Sequence, residues 1–384
     1  MNDNLTAQLK KRAFELGLSA VGIAPAAALD FAEEALKERV ESGRLKDYGF
    51  SRKPAERFTH PESLVPEAKS MIVVAWPYLA TEKVDEGRGP KGLVARFATG
   101  QDYHVVVTER LQELGEWLVE QIPSAKCKIC VDTGSMIDRA AARAAGIGSY
   151  GKNASIITEK SGSWVVLGEM VTDVELEYDD PAPMEECGDC DICVRNCPSG
   201  AIACPFVIDQ TRCISHLTQM KGIIPRELRP IIGDSIYGCD ICQESCPKNV
   251  GISSKQGEET LILHHPALIP LLNISQEEFD RIIGPTAIAW IGRTRFRRNV
   301  AVALGNIGDP SAVTVLIEAL NDPEPVIRVH AAWALGQIGG NDACEALRQA
   351  LKSETDERVI GETESALGSQ QICKSSELMS IISC

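Results

Sequence analysis

The cysteines of this chain are the feature that most restricts its fold. The sequence has 14 cysteines in 384 residues, and most of them fall between Cys187 and Cys246. A first run reads C-x2-C-x2-C-x3-C-P, and a second run reads C-x2-C-x3-C-P. Gaps of two residues let a tight loop direct successive sulfurs at one centre, while the cysteine before proline points toward another. The spacing predicts two [4Fe-4S] clusters, which transfer single electrons.

Eight of these cysteines are the predicted cluster ligands. The second run is one cysteine short, and Cys213 supplies the missing thiolate. Zinc ribbons also use paired C-x2-C, but three close cysteines followed by a cysteine-proline suit a cubane better. The first cluster is assigned Cys187, Cys190, Cys193 and Cys246, and the second is assigned Cys197, Cys213, Cys239 and Cys242. The remaining thiols are expected in packing or at the surface: Cys127, Cys130, Cys204, Cys344, Cys373 and Cys384.

Composition favours a folded chain of more than one domain. Hydrophobic residues make up 44% of the sequence, which is enough for a full core. No apolar run reaches the roughly 18 residues that span a bilayer, and Met1 to Arg12 lacks a signal or transit pattern. We therefore expect no membrane association and a cytoplasmic location. The formal net charge of -15 argues against broad nucleic-acid binding but permits a local basic face.

Three regions of different pattern follow one another. Residues 1–178 combine helical spacing with short apolar strands and predict an α/β domain. Residues 179–255 hold an acidic, proline-rich linker and the cysteine block, and they predict a ferredoxin-like double-cluster domain. In residues 256–384, RRNVAVALGNIG at Arg297 to Gly308 returns as RVHAAWALGQIG at Arg328 to Gly339. Such a repeat predicts stacked helix pairs, a HEAT-like α-solenoid.

Asp132 is the candidate acid of the first region. Lys128 to Asp132 has strand character, and open α/β sheets place ligand-binding groups at the carboxyl ends of strands. Asp138 competes, but Ser135-x-x-Asp138 is a capping pair before an apolar helix, which gives Asp138 a structural role. From the residues alone, Asp132 is either catalytic or one of the aspartates common in turns.

A glycine-rich loop, GIGSYGKN at Gly146 to Asn153, precedes a predicted hairpin. The hairpin strands are Ala154 to Thr158 and Trp164 to Met170. Glycines would let the backbone approach a bulky ligand, with Lys152 and Asn153 as donors. The alternative is a helix C-cap followed by a turn.

Together these motifs resemble the epoxyqueuosine reductase family, cobalamin-dependent iron–sulfur enzymes of tRNA queuosine biosynthesis. The resemblance covers essentially the whole chain. It implies a multi-domain α+β protein whose N-terminal domain is nitroreductase-like and binds cobalamin. Besides the eight cysteines, the matching motifs are VARFATGQDYH (Val94 to His104), VDTG with Asp132, RAAGIGSYGKN (Arg143 to Asn153), GSWVVLGEM (Gly162 to Met170), CISHLTQMKGIIP (Cys213 to Pro225) and IYGCDICQESCP (Ile236 to Pro247).

The resemblance implies reduction of an epoxide on a cyclopentane ring to an alkene. The modified base occupies the wobble position of a tRNA, so the implied partners are tRNA carrying epoxyqueuosine and an external low-potential electron donor. A monomer is expected. The epoxide oxygen leaves as water, and Asp132 matches the family's proton donor. A carboxyl group donates a proton near pH 7 only if burial raises its pKa.

The resemblance also implies cobalamin with its nucleotide base displaced from cobalt. Three departures from the family pattern affect local contacts: His216 stands where tyrosine is expected, Ser149-Tyr150 replaces Trp-Ile, and Lys248 replaces a tryptophan. The matching cofactor-binding positions are Arg57, Asp132, Lys152, Asn153, Ser215, His216, Lys221, Tyr237 and Asp240.

A basic run, RTRFRR, is the predicted tRNA contact, because phosphates need local cations on an acidic protein. The alternatives are an ordinary solvated helix face, or a tRNA surface over Lys221, Arg226 and Arg229. The predicted tRNA-binding residues are Lys221, Arg293, Arg295, Arg297 and Arg298.

Two other functions remain open from the sequence. A corrinoid iron–sulfur reductase of a small molecule, similar to reductive dehalogenases, would leave the helical repeats unexplained. A plain electron-transfer protein would not need about 180 residues of upstream domain.

Overall fold

The computed structural model describes residues 3–44, 54–81, 87–132, 136–253 and 260–368. Two compact units are present, and their chain segments interleave. The first unit comprises Met1–Thr81, Gly100–Cys213 and Asp240–Glu259, and the second comprises Glu82–Thr99, Ile214–Cys239 and Thr260–Cys384. The three-domain division at residues 178 and 255 therefore stays a prediction. In the described ranges, no helix is both apolar enough and long enough to cross a bilayer.

Short strands and helices alternate along the chain. The strands are β1 (Ala20–Pro25), β2 (Ser70–Pro77), β3 (Leu93–Val94), β4 (Cys127–Cys130), β5 (Gly148–Tyr150), β6 (Ile156–Thr158), β7 (Val165–Thr172), β8 (Ile202–Cys204), β9 (Val207–Ile208) and β10 (Ser235–Tyr237). The α-helices are α1 (Asp3–Glu15), α2 (Asp30–Glu41), α3 (Glu56–Thr59), α4 (Tyr103–Gln121), α5 (Asp138–Ala144), α6 (Ile192–Asn196), α7 (Ile214–Gln219), α8 (Arg229–Ile232), α9 (Ile241–Glu244), α10 (Leu268–Leu272), α11 (Gln276–Ile282), α12 (Gly292–Ile307), α13 (Val313–Ala319), α14 (Pro325–Ile338) and α15 (Asn341–Leu351). A further helix covers 357–368.

The first unit is built on a four-stranded sheet in the order β1-β2-β7-β4. All three pairings are antiparallel. The apolar run SMIVVAWP of β2 is almost entirely buried, as expected for a strand covered on both faces. The antiparallel order means that the strand-end rule for open parallel sheets does not explain the position of Asp132.

The hairpin predicted after the glycine-rich loop does not form. β6 pairs instead with β5, which lies inside that loop, whereas β7 runs between β2 and β4 in the main sheet. A bridge between Thr158 and Gly162 joins the first predicted arm to the turn that precedes the second. β7 is mostly buried, and it gains more apolar contact in the main sheet than a two-stranded ribbon would provide.

The second unit contains the predicted helical repeats. Helices α12 and α14 are their first helices and pack against each other, with α13 and α15 as the second helices. Two glycines occupy equivalent repeat positions. A Cβ on Gly305 would meet Cα of Ala334 at 2.8 Å, and a Cβ on Gly336 would meet Cα of Ala366 at 3.0 Å. The repeat thus keeps glycine where successive first helices approach most closely.

Candidate active site and cluster-binding segments

Asp132 lies two residues beyond the end of β4, not within a strand as predicted. Its backbone has φ 48°, in the left-handed region that aspartate tolerates better than most residues. About half of its side chain is exposed, with a relative accessibility of 51%. The chain therefore turns sharply at Asp132 and presents the carboxylate at the surface of the first unit.

Two residues at the start of α4 hold this carboxylate. The hydroxyl of Tyr103 donates a hydrogen bond to Oδ2 of Asp132 at 2.5 Å. Nε2 of His104 lies 3.4 Å from the same oxygen, and Nδ1 of His104 lies 2.8 Å from Oδ1 of Asp102. Asp102 is also the N-cap of α4, because its side chain accepts from the backbone N–H of His104. Asp102 thereby orients the imidazole toward Asp132.

The electrostatics of Asp132 differ from the sequence-based expectation. Burial acts to raise the pKa of Asp132, but the contacts with His104 and Tyr103 outweigh it, and the pKa lies below its ordinary value. Burial acts to lower the pKa of His104, whereas Asp102 and Asp132 raise it to about 9. The expectation of a raised Asp132 pKa is therefore wrong, because a cationic partner stabilises the ionised carboxylate.

The predicted capping pair of Ser135 and Asp138 falls partly outside the described residues. Asp138 is the first residue of α5, whose N-cap is Ile137 and makes no side-chain cap hydrogen bond. Ser135, the predicted capping partner, lies outside the described residues. Burial and the charge of Asp132 raise the pKa of Asp138 to about 8, despite opposing contributions from Arg139 and Glu169. The capping pair therefore stays a prediction, and the partly buried Asp138 interacts with the carboxyl groups of Asp132 and Glu169.

The four cysteines assigned to the first cluster line one cavity of about 180 Å³. Lys152 and Asn153 of the glycine-rich loop line it as well, as do Pro247 and Lys248. Burial raises the pKa of both Cys193 and Cys246, and the neighbouring thiols add to it. The structure therefore brings Cys246 to the first cysteine run despite the intervening sequence.

Three of the four cysteines assigned to the second cluster, Cys197, Cys213 and Cys242, belong to the first unit. Cys239 is the last residue of its segment of the second unit. The backbone carbonyl of Cys242 accepts a hydrogen bond from Asn153 at 3.3 Å, which connects this segment to the glycine-rich loop.

The predicted cobalamin contacts divide between the units. Arg57, Asp132, Lys152, Asn153 and Asp240 lie in the first unit, and Ser215, His216, Lys221 and Tyr237 lie in the second. Several are engaged internally.

Nζ of Lys152 donates to the carbonyl of Gly188 at 2.5 Å. The hydroxyl of Tyr237 donates to the carbonyl of Ala287 and accepts from Nε1 of Trp290, both at 2.9 Å. Arg57 and Lys221 are exposed.

Two of the predicted tRNA-binding arginines are buried. Nη1 of Arg297 lies 2.6 Å from Oδ2 of Asp322, with both side chains almost fully enclosed. Arg298 is 0% exposed and donates to backbone carbonyls that include those of Met220 and Gly222. Their burial argues against phosphate contact, because neither guanidinium faces solvent.

The other two arginines of the run are half-buried. Nε of Arg293 donates to the carbonyl of Ile274. Arg295 donates to the carbonyls of Gln219 and Trp290 and lies over the Trp290 ring at 4.9 Å. Nε of Arg295 also donates to the carbonyl of Ile291. Three of its five N–H donors are thus used within the fold, which leaves two for a ligand.

Sequence reasoning did not single out Tyr103, His104 or Glu169. A signal was present for Glu169, since it is the one ionisable residue in the apolar strand VVLGEMVT. Tyr103 and His104 lie in the quoted motif ending in QDYH, but nothing in the sequence connects them to Asp132, which follows His104 by 28 residues.

Three family models match this chain. Residues 59–133 match "Epoxyqueuosine reductase QueG, DUF1730", residues 186–249 match a 4Fe-4S double cluster binding domain, and residues 292–368 match HEAT repeats. Among curated proteins, the epoxyqueuosine reductase of Bacillus cereus is 40% identical over 361 residues, covering 92% of this chain and 94% of that protein. The enzyme of Escherichia coli is 35% identical over 367 residues, covering 93% and 96%.

Solved structures agree with these relatives. An epoxyqueuosine reductase bound to an epoxyqueuosine-modified tRNA-Tyr stem loop superposes with a TM-score of 0.90 at 36% identity, covering 96% of this chain and 99% of that one. A Bacillus subtilis epoxyqueuosine reductase, solved with an aspartate catalytic loop swung out of the active site, has a TM-score of 0.89 at 35% identity, covering 95% and 99%.

Proposed function

This chain belongs to the epoxyqueuosine reductase family, and we propose that it reduces epoxyqueuosine at the wobble position of tRNA to queuosine. The observation that carries the proposal is the full-length match to an epoxyqueuosine reductase solved with a modified tRNA stem loop. As an oxidoreductase of this family, the protein converts an epoxide to an alkene. The change consumes two electrons and two protons and releases one water molecule.

The electrons are proposed to arrive one at a time through two [4Fe-4S] clusters. Cys187, Cys190, Cys193 and Cys246 would ligate the first, and the cavity that they share supports this grouping. The second would use Cys197, Cys213, Cys239 and Cys242. An external low-potential donor completes the chain of transfer.

The cofactor at the epoxide is proposed to be cobalamin with its nucleotide base displaced. Each unit offers groups of suitable chemistry. The first has an exposed cation at Arg57 and an amide at Asn153, and the second has an exposed cation at Lys221 and a hydroxyl at Ser215. Cations of this kind bind phosphate, and the amide and hydroxyl groups suit carboxamides. When bound, cobalamin supplies a strongly reducing, nucleophilic cobalt centre. Lys152, His216, Tyr237 and Asp240 complete the proposed set, with Asp132 on the substrate side.

Asp132 is proposed to protonate the leaving epoxide oxygen. Its lowered pKa means that it is ionised at rest near pH 7, so it must first receive a proton. The imidazolium of His104, 3.4 Å from Oδ2, is the nearest cationic donor. Tyr103 and Asp102 would fix the geometry of this transfer, since each contacts one partner of the pair.

The proposed tRNA contacts are Lys221 and the solvent-facing parts of Arg293 and Arg295. Lys221 is exposed and follows α7, in the same unit as the helical repeats. Arg297 and Arg298 are better explained as structural residues, for the reasons of burial given above.

The test is a stem-loop assay under anaerobic conditions. Protein reconstituted with iron, sulfide and cobalamin is mixed with an epoxyqueuosine-modified anticodon stem loop and a low-potential chemical reductant. Queuosine should form only when cobalamin and reductant are both present. If reconstituted protein converts no epoxyqueuosine, yet reductively dehalogenates a halogenated phenol, the proposal fails in favour of a small-molecule reductase.

A further inference from the structure

A buried pair of carboxyl groups lies beside the candidate acid. Glu169, in the middle of β7, is 0% exposed and pairs across the sheet with Cys130, two residues before Asp132. Asp138 opens α5, and its Oδ1 is sealed from solvent. Helix α5 packs against β7, and the carboxyl groups of Asp138 and Glu169 are close enough for each to shift the other's pKa. Three carboxyl groups therefore cluster where β4 and β7 meet the start of α5.

The pair has unsatisfied acceptors. Both carboxylate oxygens of Glu169 and Oδ1 of Asp138 receive no hydrogen bond from any described residue, a set that leaves out 133–135. Two ionised carboxylates in contact repel each other, and burial penalises each charge. One proton on the pair removes both difficulties, because the protonated group then donates an O–H to the other.

We propose that the Asp138–Glu169 pair stores a proton and passes it to Asp132 during reduction. The inference rests on the proposed function. Both C–O bonds of the epoxide oxygen break, the two electrons come from the external donor, and the oxygen leaves as water with two new O–H bonds. Asp132 carries one proton at a time, so it must be protonated twice per turnover. His104 is one source, and the pair is the other.

The neighbouring charges favour this storage role. Burial, followed by the charge of Asp132, raises the pKa of Asp138 to about 8. Burial, Asp138 and Cys130 raise the pKa of Glu169 well above its ordinary value, and Asp132 adds to the shift. Arg139 acts in the opposite direction on Asp138. These groups keep a proton on the pair at neutral pH while leaving it exchangeable in mildly alkaline solution.

At rest the ionised Asp132 holds the proton on the pair by its negative charge. Because the pKa of Asp132 is lowered and that of the pair is raised, transfer to Asp132 must be driven by the negative charge that develops on the substrate oxygen. The pair then takes a new proton from solvent. Asp138 and Glu169 thus act through Asp132 and do not touch the substrate.

Two isosteric variants test the proposal, with the reconstituted full chain. Glu169→Gln and Asp138→Asn keep side-chain size but cannot release a proton, and Glu159→Gln on an exposed turn is the control. Steady-state turnover of the stem loop is measured between about pH 6 and pH 10. Wild type and control should lose rate as the pair deprotonates around pH 8. Both variants should be at least about tenfold slower at pH 7 and lack that step.

Infrared difference spectra provide a readout without turnover. Wild type should show the C=O stretch of a protonated carboxylic acid that disappears around pH 8, and both variants should lose it. Full rate with an unchanged pH profile in both variants would overturn the proposal, as would the absence of the infrared band in wild type. If wild type and control make no queuosine, the proposed function fails, and the infrared titration still decides whether the pair holds a proton.

Discussion

Nε2 of His104 lies 3.4 Å from Oδ2 of Asp132, so a cationic imidazole and an ionised carboxylate share one edge of the candidate active site. This contact reverses the expected protonation of the site. The raised pKa of His104 keeps the proton on the imidazole at neutral pH, and in the proposed mechanism Asp132 receives it only when the substrate oxygen develops negative charge.

Replacing Asp132 with asparagine should abolish most turnover. An amide cannot deliver a proton, and general acid catalysis contributes about 10²–10⁴-fold. Rate loss of that size is expected by single-turnover nucleoside analysis, with unchanged iron content and cobalamin binding. Asp280→Asn, on the exposed face of α11, serves as the control. Equal losses in the two variants would remove Asp132 from the mechanism.

Stability should fall with rising pH through the titration of His104. Its folded pKa of about 9 exceeds the ordinary value of 6.5, so its stabilisation is complete below about pH 6.5 and is lost as pH rises through about 9. The contribution is about 1–3 kcal/mol. Chemical unfolding of His104→Gln should show a correspondingly flatter pH dependence, whereas exposed His265→Gln should match wild type. If the free energy of unfolding of His104→Gln varied with pH in the same way as that of wild type, the raised pKa of His104 would be contradicted.

Cys246→Ala should damage the cluster that contains Cys187, Cys190 and Cys193, despite the distance in sequence. Reconstituted wild type should hold about eight irons per chain, and the variant about four. Electron paramagnetic resonance of the reduced protein would show which cluster survives. Cys204→Ser, at an exposed thiol, is the matched control. Loss confined to the cluster of Cys239 and Cys242 would refute the assignment.

Alanine substitutions at Arg297 and Lys221 should have opposite effects. The first should lower stability, and the second should weaken tRNA binding. Arg297→Ala leaves Asp322 buried without its partner, and such a loss costs about 3–5 kcal/mol. Lys221→Ala should leave stability unchanged but flatten the log–log salt dependence of stem-loop affinity by up to roughly 0.9 per lost phosphate contact. Fluorescence anisotropy across a salt series reads the slope. If Arg297→Ala is as stable as wild type and flattens the salt dependence of stem-loop affinity, then Arg297 contacts phosphate and the RTRFRR run binds tRNA.

The double-cluster segment and the helical repeats were predictable because each is encoded by short spacings within the sequence. Spacing alone grouped Cys246 with the first run, and the structure lines one cavity with those four thiols. The recurring glycine of the repeats reflects a local packing need, visible at Gly305 and Gly336.

Long-range relationships were not predictable in the same way. Nothing in the sequence states that β7 inserts between β2 and β4 instead of forming a hairpin, and this insertion is what buries Glu169 beside Asp138. The sequence predicted that the arginines of the RTRFRR run are exposed to solvent, because charged side chains are usually exposed. Arg298 is buried because backbone carbonyls from a distant loop satisfy its donors.

The central claim is tested most directly by nucleoside mass spectrometry of full-length tRNA carrying epoxyqueuosine. The reconstituted wild-type protein is supplied with reductant, and the digest is followed over time. We predict that the modified nucleoside loses the mass of one oxygen atom and elutes as queuosine, and that Asp132→Asn leaves it unchanged. Persistence of epoxyqueuosine with wild-type protein that holds both clusters and cobalamin would contradict the account.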